Sequence, residues 1–228
     1  MDPASVVQRL LISALPILIA ITFHEVSHGY VAYKLGDPTA KFVGRLTLNP
    51  LAHIDPFGTI LLPLMLMVLG SPIVFGYAKP VPINPMNFRN PKRGMAISAA
   101  AGPITNLILS VISAVAIKFI TSPAQAVLPE HIVTTIVYPA DQMLRYSIFI
   151  NVVLASFNLI PIPPLDGGRV LAGLLPDRQA LFFSKIERYG LIILIILLAT
   201  HMADYFVLPL VNFFFGLLQL FVPIPRFF

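Results

Sequence analysis

Three ionisable residues stand together at His24, Glu25 and His28, inside an apolar stretch that runs from about Val6 to about Tyr33. Charge in such a stretch is costly and calls for a reason. His24 and His28 are about 400° of helix rotation apart, so their rings share one face. Two neutral imidazoles on one face suit a zinc ion. Glu25 lies about 100° further round, able to reach water at the metal without being a ligand. This is the HExxH spacing, in which the glutamate serves as general base toward water activated by zinc. A catalytic zinc takes three protein ligands, so a third is expected elsewhere. The plainer reading, a hydrogen-bonded buried histidine pair, weakens in a membrane-length segment, where three clustered ionisable groups need an unusual partner.

Several residues compete for the remaining roles. His53 and Asp55 lie in the turn-rich stretch 36–56, where capping of the next helix is their ordinary use. Asp166 follows Pro161, Pro163 and Pro164 and precedes Gly167-Gly168. An aspartate at a helix start is an ordinary N-cap, yet Asp166 is also the acidic residue in apolar surroundings that follows a span. Asn106, on the same side as Gly102, is read equally as a packing residue and as a substrate contact.

The elements that must position these groups are membrane helices. The chain has 228 residues, 57% hydrophobic and 11% charged, with mean hydropathy +0.86. This composition predicts an all-α polytopic membrane protein with about five to six transmembrane helices. One domain is expected over 1–228, with a catalytic core over about 6–175 and C-terminal helices over about 183–222. Cysteine is absent, which excludes disulfides and thiolate metal sites. The net charge of +5 sits in loops between apolar runs, which reads as membrane topology and not nucleic-acid binding. No cleaved leader is expected at the N-terminus.

Spans are predicted at Val6–Tyr33, Met95–Ile120, Gln142–Ile160, Ile186–Thr200 and Tyr205–Val222, with 121–141 as a connection. Phe57–Leu69 is short for a full crossing and is read as re-entrant or partly spanning. Gly76–Pro91 carries four prolines and cannot be helix. Within it, Tyr77–Ile83 is expected to be an extended, β-like edge near the active site. Pro80 and Pro82 turn their missing N–H groups to one side, leaving the donors of Tyr77, Lys79, Val81 and Ile83 for pairing with a substrate. The alternative is a rigid proline spacer.

If His24 and Asp166 share one metal, the chain between them must cross the membrane an even number of times. The spans from Met95 and Gln142 supply two crossings, so Phe57–Leu69 must add none. Twelve of the basic residues, among them Lys34, Lys41, Arg45, Lys79, Arg89, Lys92, Arg93 and Arg226, then fall on the metal side. Arg9, Lys118 and Arg145 fall opposite. The positive-inside rule places the metal side in the cytoplasm and the N-terminus outside.

Taken together, "HEVSH", "AGPITN" and the Asn158, Pro161 and Asp166 of "NLIPIPPLDGG" resemble the site-2 protease family of intramembrane zinc metalloproteases, in a compact bacterial-type form without a PDZ domain. "GRLTLNPLAHIDP" and "GYAKPVPINP" fit the same likeness, which covers roughly Phe23–Arg169. It implies that His24, His28 and Asp166 bind Zn2+, that Glu25 is the base, and that Asn158 holds the substrate or the transition state. It also implies single-span membrane proteins as substrates, cut near the cytoplasmic face of the cell membrane. A substrate helix must unwind first, and the edge at Tyr77, Lys79 and Val81 could receive it by strand addition. The competing readings are a transporter that uses the His/Asp site for an ion, and a non-proteolytic scaffold with a structural zinc.

Overall fold

The computed structural model describes residues 3–68 and 76–220, with side chains from residue 12 onward except that of 191. Leu69, Val222 and Arg226, and the side chain of Arg9, therefore lie outside the described residues. α1 (Pro3–Lys34) holds the HExxH segment. It ends at Gly36, whose φ of +112° is a left-handed turn that favours glycine. A short α2 (Thr39–Phe42) follows.

The loop after α1 is built from a repeated device. At Asn49-Pro50, Asp55-Pro56, Asn84-Pro85 and Asn90-Pro91 the Asn or Asp side chain accepts backbone N–H groups of the next turn. The proline fills an early helical position, where its missing N–H costs nothing. Asp55 thus caps the segment Pro56–Val68, whose wide first turns lead into α3 (Leu62–Val68). At roughly 20 Å this segment is shorter than a bilayer core.

α4 (Pro91–Ala116) continues through a wide turn at Ile117–Thr121 into α5 (Ser122–Val127). After α6 (Glu130–Ile132) another wide turn, Val133–Val137, opens α7 (Tyr138–Asn158). The stretch 121–141, predicted to be a connection because of its prolines, is therefore mostly helical. Pro123 and Pro139 sit at the starts of α5 and α7, where no N–H is required. α8 (Asp166–Leu174), α9 (Asp177–Glu187), α10 (Gly190–Ala199) and α11 (Met202–Gln219) complete the chain.

Two expectations are not confirmed. Among the described residues, three helical stretches are long and apolar enough to cross a membrane: Ile12–Lys34, Pro91–Val127 and Met202–Gln219. The expected five to six spans exceed this. α7 has 21 residues, about 31 Å, but carries Asp141 and Arg145. α10 has 10 residues, about 15 Å, half the thickness of a hydrocarbon core. The expected β-like edge is not confirmed either: 77–83 has no regular secondary structure, and no strand is present among the described residues.

α1, α4 and α7 pack against one another at the centre. Ala20 and His28 of α1 bond to Asn106 and Ser98 of α4 respectively, so these two helices are antiparallel. Asn106 and Thr121 bond to Asn151 and Asp141 of α7, so α7 runs antiparallel to α4. α11 packs on α7 through Val211 and Phe215, in a core with Ile117, Ile148 and Val152. Between α1 and α4 the chain makes no net passage along the bundle. The buried Asp37 just after α1 accepts from Asn84 N–H and Asn87 Nδ2, just before α4. This meets the geometric requirement of the parity argument.

Candidate metal centre

His24 and His28 project from one face of α1 toward α4, both nearly excluded from solvent at 8% exposure. What lies opposite is Gly102. A Cβ there would stand 2.4 Å from His28 Nε2 and 2.6 Å from His24 Cε1. The run of small residues Ala99–Gly102 thus includes the one that makes room for the rings.

Hydrogen bonds set the tautomer of each ring. His28 Nδ1 lies 2.8 Å from Ser98 O, a carbonyl that only accepts. His24 Nδ1 lies 2.5 Å from Asn106 Oδ1. The amide nitrogen of Asn106 is already committed to Ala20 O and Asn151 Oδ1, so its oxygen must accept. Both imidazoles therefore carry their proton on Nδ1 and present Nε2 as a lone pair. Anchoring of this kind is common behind metal-bound histidines.

Asp166 completes the cluster. It is the first residue of α8, and its side chain caps nothing: Leu165 holds the N-cap position. The N-cap alternative is therefore not what the structure adopts. Gly167 and Gly168 let α8 start directly on the proline loop. Added Cβ atoms would meet Leu159 O at 2.3 Å and Pro163 N at 2.5 Å. Asp166 Oδ2 sits 3.2 Å from each Nε2, is buried, and has no hydrogen-bond donor. Two lone pairs and an orphaned carboxylate oxygen converging on one point make a site suited to a cation. His24, His28 and Asp166, with ligand atoms within 4.8 Å of one another, fit a zinc ion. Among the described residues this is the one such grouping. His53 instead bonds Thr47 O.

Glu25 stands beside this cluster, half-buried, and its Oε2 accepts the N–H of Val81 at 2.9 Å. The sequence does not reveal this contact; Pro-x-Pro spacing marks the segment as extended but names no partner. It also changes the expectation for the edge. Tyr77 N–H donates to Gly58 O, Lys79 N–H to His53 O and Val81 N–H to Glu25. These donors are used internally and are not free for strand addition. Lys79 O in turn accepts from Arg45.

The asparagines are placed differently from one another. Asn106 is fully buried behind His24, so it orients a ring and does not line an open cleft. Asn158, the last residue of α7, donates to Leu154 O of its own helix.

The chain matches the model of peptidase family M50 over residues 12–201. The chain belongs to this family. It is 38% identical over 210 residues to "Putative zinc metalloprotease YwhC" of Bacillus subtilis, covering 92% of this chain and 89% of the relative. It is 30% identical over 199 residues to "Putative zinc metalloprotease Rip2" of Mycolicibacterium smegmatis, covering 87% and 70%. A more distant relative, "Zinc metalloprotease MJ0392" of Methanocaldococcus jannaschii, is 24% identical over 163 residues, 34% of its own length. No solved structure matches the chain. As an M50 zinc metalloprotease, the protein has in His24, His28 and Asp166 a donor set suited to its metal. The site-2 protease likeness seen in its motifs agrees with the family.

Proposed function

We propose that this metalloprotease cuts peptide bonds in or beside transmembrane segments of single-span membrane proteins. Cleavage takes place near the cytoplasmic face of the cell membrane, in a multi-pass enzyme whose N-terminus lies outside. The observation that carries this reading is the position of the donor set. Two of its three residues sit in Ile12–Lys34, a helix of membrane length, and all three are buried in the bundle. Water and substrate thus meet inside the helical body.

Zinc, when bound, supplies a Lewis acid that lowers the pKa of water and polarises a carbonyl. His24 and His28 would hold it through Nε2, and Asp166 would offset part of its charge. Glu25 is anchored at Oε2 by Val81, which leaves Oε1 to take a proton from water and pass it to the leaving amine. Asn158, at the end of α7, is proposed to hold the unwound substrate or the transition state. An unwound segment lying along 77–83 would pass beside Glu25. Pairing with Tyr77 or Lys79 would require exchange of their bonds to Gly58 and His53. The partners are the lipid bilayer and the substrate helix, with no nucleic acid. The orientation is supported by the basic residues around α2 and the start of α4, against Lys118 and Arg145 at the far end, where Arg145 pairs with Asp141.

The transporter and scaffold readings are not favoured. A closed structural zinc takes four protein ligands, and the cluster holds three among the described residues. The test uses protein in liposomes with zinc and one scissile sequence, presented either in a single-span helix or in a soluble linker. Cleavage of the membrane-embedded form is expected. Glu25→Gln should retain zinc and lose about 100-fold or more in rate. Cleavage of the soluble form alone would sink the intramembrane assignment; zinc binding without any cleavage would restore the alternatives.

A further inference from the structure

Behind His24 a line of polar side chains runs through the apolar interface of α1, α4 and α7. Asn106 Oδ1 meets His24 Nδ1, and Asn106 Nδ2 donates to Asn151 Oδ1 at 2.7 Å. Asn151 Nδ2 donates to Ser147 O at 2.8 Å and to Ser147 Oγ at 3.2 Å. Ser147 Oγ meets Ser113 Oγ at 2.9 Å. Asn106 and Asn151 are both fully buried.

The chain of bonds has a direction. Ser147 O is a main-chain carbonyl and can only accept. It fixes the amide nitrogen of Asn151, whose oxygen must then face Asn106. That oxygen, with the longer contact to Ala20 O at 3.3 Å, fixes the nitrogen of Asn106, whose oxygen must face His24, and His24 must carry its proton on Nδ1. Without Asn151 only the longer bond to Ala20 O, at 3.3 Å, would oppose a flip of Asn106, and a flipped Asn106 would turn a donor toward His24. The ring would then hold its proton on Nε2 and could not ligate.

We propose that Asn151 is a positioning residue of the metal centre: acting through Asn106, it locks His24 in the tautomer that binds the metal. The proposal rests on the metalloprotease reading of the site. A merely structural role, two buried amides joining helices, would affect stability but not the tautomer.

The experiment reads the ring directly. In metal-free protein with 15N-labelled histidine, NMR identifies which nitrogen of His24 is protonated, and titration with Co2+ gives affinity and a visible spectrum sensitive to the ligand set. The parent should show Nδ1–H. Asn151→Leu should show mixed tautomers, bind Co2+ about 10- to 100-fold more weakly, and shift the spectrum. Should leucine prevent folding, the smaller Asn151→Val takes its place. Asn151→Asp keeps an acceptor facing Asn106 in either protonation state and should restore the parental tautomer. Ser113→Ala removes a bond beyond Ser147 O and should leave tautomer and spectrum as in the parent. Parental tautomer, affinity and spectrum in the leucine and valine variants would overturn the relay. Failure of the parent to bind Co2+ through His24 would instead overturn the metal centre itself.

Discussion

Gly102 shows how closely the donor set depends on one missing methyl group. The two imidazoles fill the space where its Cβ would stand. Alanine favours helix over glycine by about 1 kcal/mol, so Gly102→Ala should not unfold α4. It should push His24 and His28 off their positions and weaken zinc binding, on the order of 10- to 100-fold. Metal content after dialysis against a graded chelator, compared with melting temperature, separates the two effects. Normal zinc affinity in this variant would mean that the rings can relax elsewhere.

At the scale of elements, the segment 77–83 is a bracket, held to the 53–58 turn by two backbone bonds and to Glu25 by a third. Val81→Pro removes the N–H that anchors Glu25, and three successive prolines keep the chain extended. Loss of a hydrogen bond to a charged group, about 1.5–3 kcal/mol, predicts a fall in kcat of about 10- to 100-fold with zinc content unchanged. An unaltered kcat would mean that Glu25 needs no such anchor. A second pin closes the loop from α1 to α4 at Asp37. Burial pushes its carboxyl up, but bonds from Thr39 Oγ1, Asn87 Nδ2 and the N–H groups of Asn84 and Thr39 outweigh this and hold the pKa below its ordinary value. The stabilisation is therefore present above the unfolded pKa of about 4 and is lost as pH falls through the lower folded value. Asp37→Ala should destabilise the protein by about 2–3 kcal/mol at pH 7. The gap from the parent should close below about pH 4. A gap independent of pH would assign the effect to packing instead of charge.

For the whole molecule, the antiparallel order of α1, α4 and α7 places the segments just after α1 and just before α4 at the end of the bundle that holds the metal residues. The chain contains no cysteine of its own, so single cysteines at Lys41, Arg89 and Glu130, all exposed, can be labelled cleanly with an impermeant thiol reagent. Lys41→Cys and Arg89→Cys are expected to react from the cytoplasmic side, and Glu130→Cys from the outer side. Reaction at positions 41 and 89 from opposite sides would break the arrangement.

Much of the site was legible in the residues because its geometry is local. A helix puts His24 and His28 on one face wherever it lies, and an apolar segment that carries two imidazoles and a carboxylate states its own cost. Asx-Pro pairs mark helix starts by the same local rule. Sequence could narrow the third ligand to Asp166 but not decide it, because an aspartate at a helix start is equally a cap. Tertiary packing sets it apart from a cap by leaving its Oδ2 without a donor, 3.2 Å from both rings. The same holds for Asn106, whose two readings separated only when α4 met α1, and for the donors of 77–83, whose partners lie up to 56 residues away. The number of long apolar helices also depended on context, since prolines at 123 and 139 start helices where the sequence suggested a break. Periodicity fixes which face a side chain is on; which neighbour occupies that face is a matter of long-range contact, and that belongs to the fold.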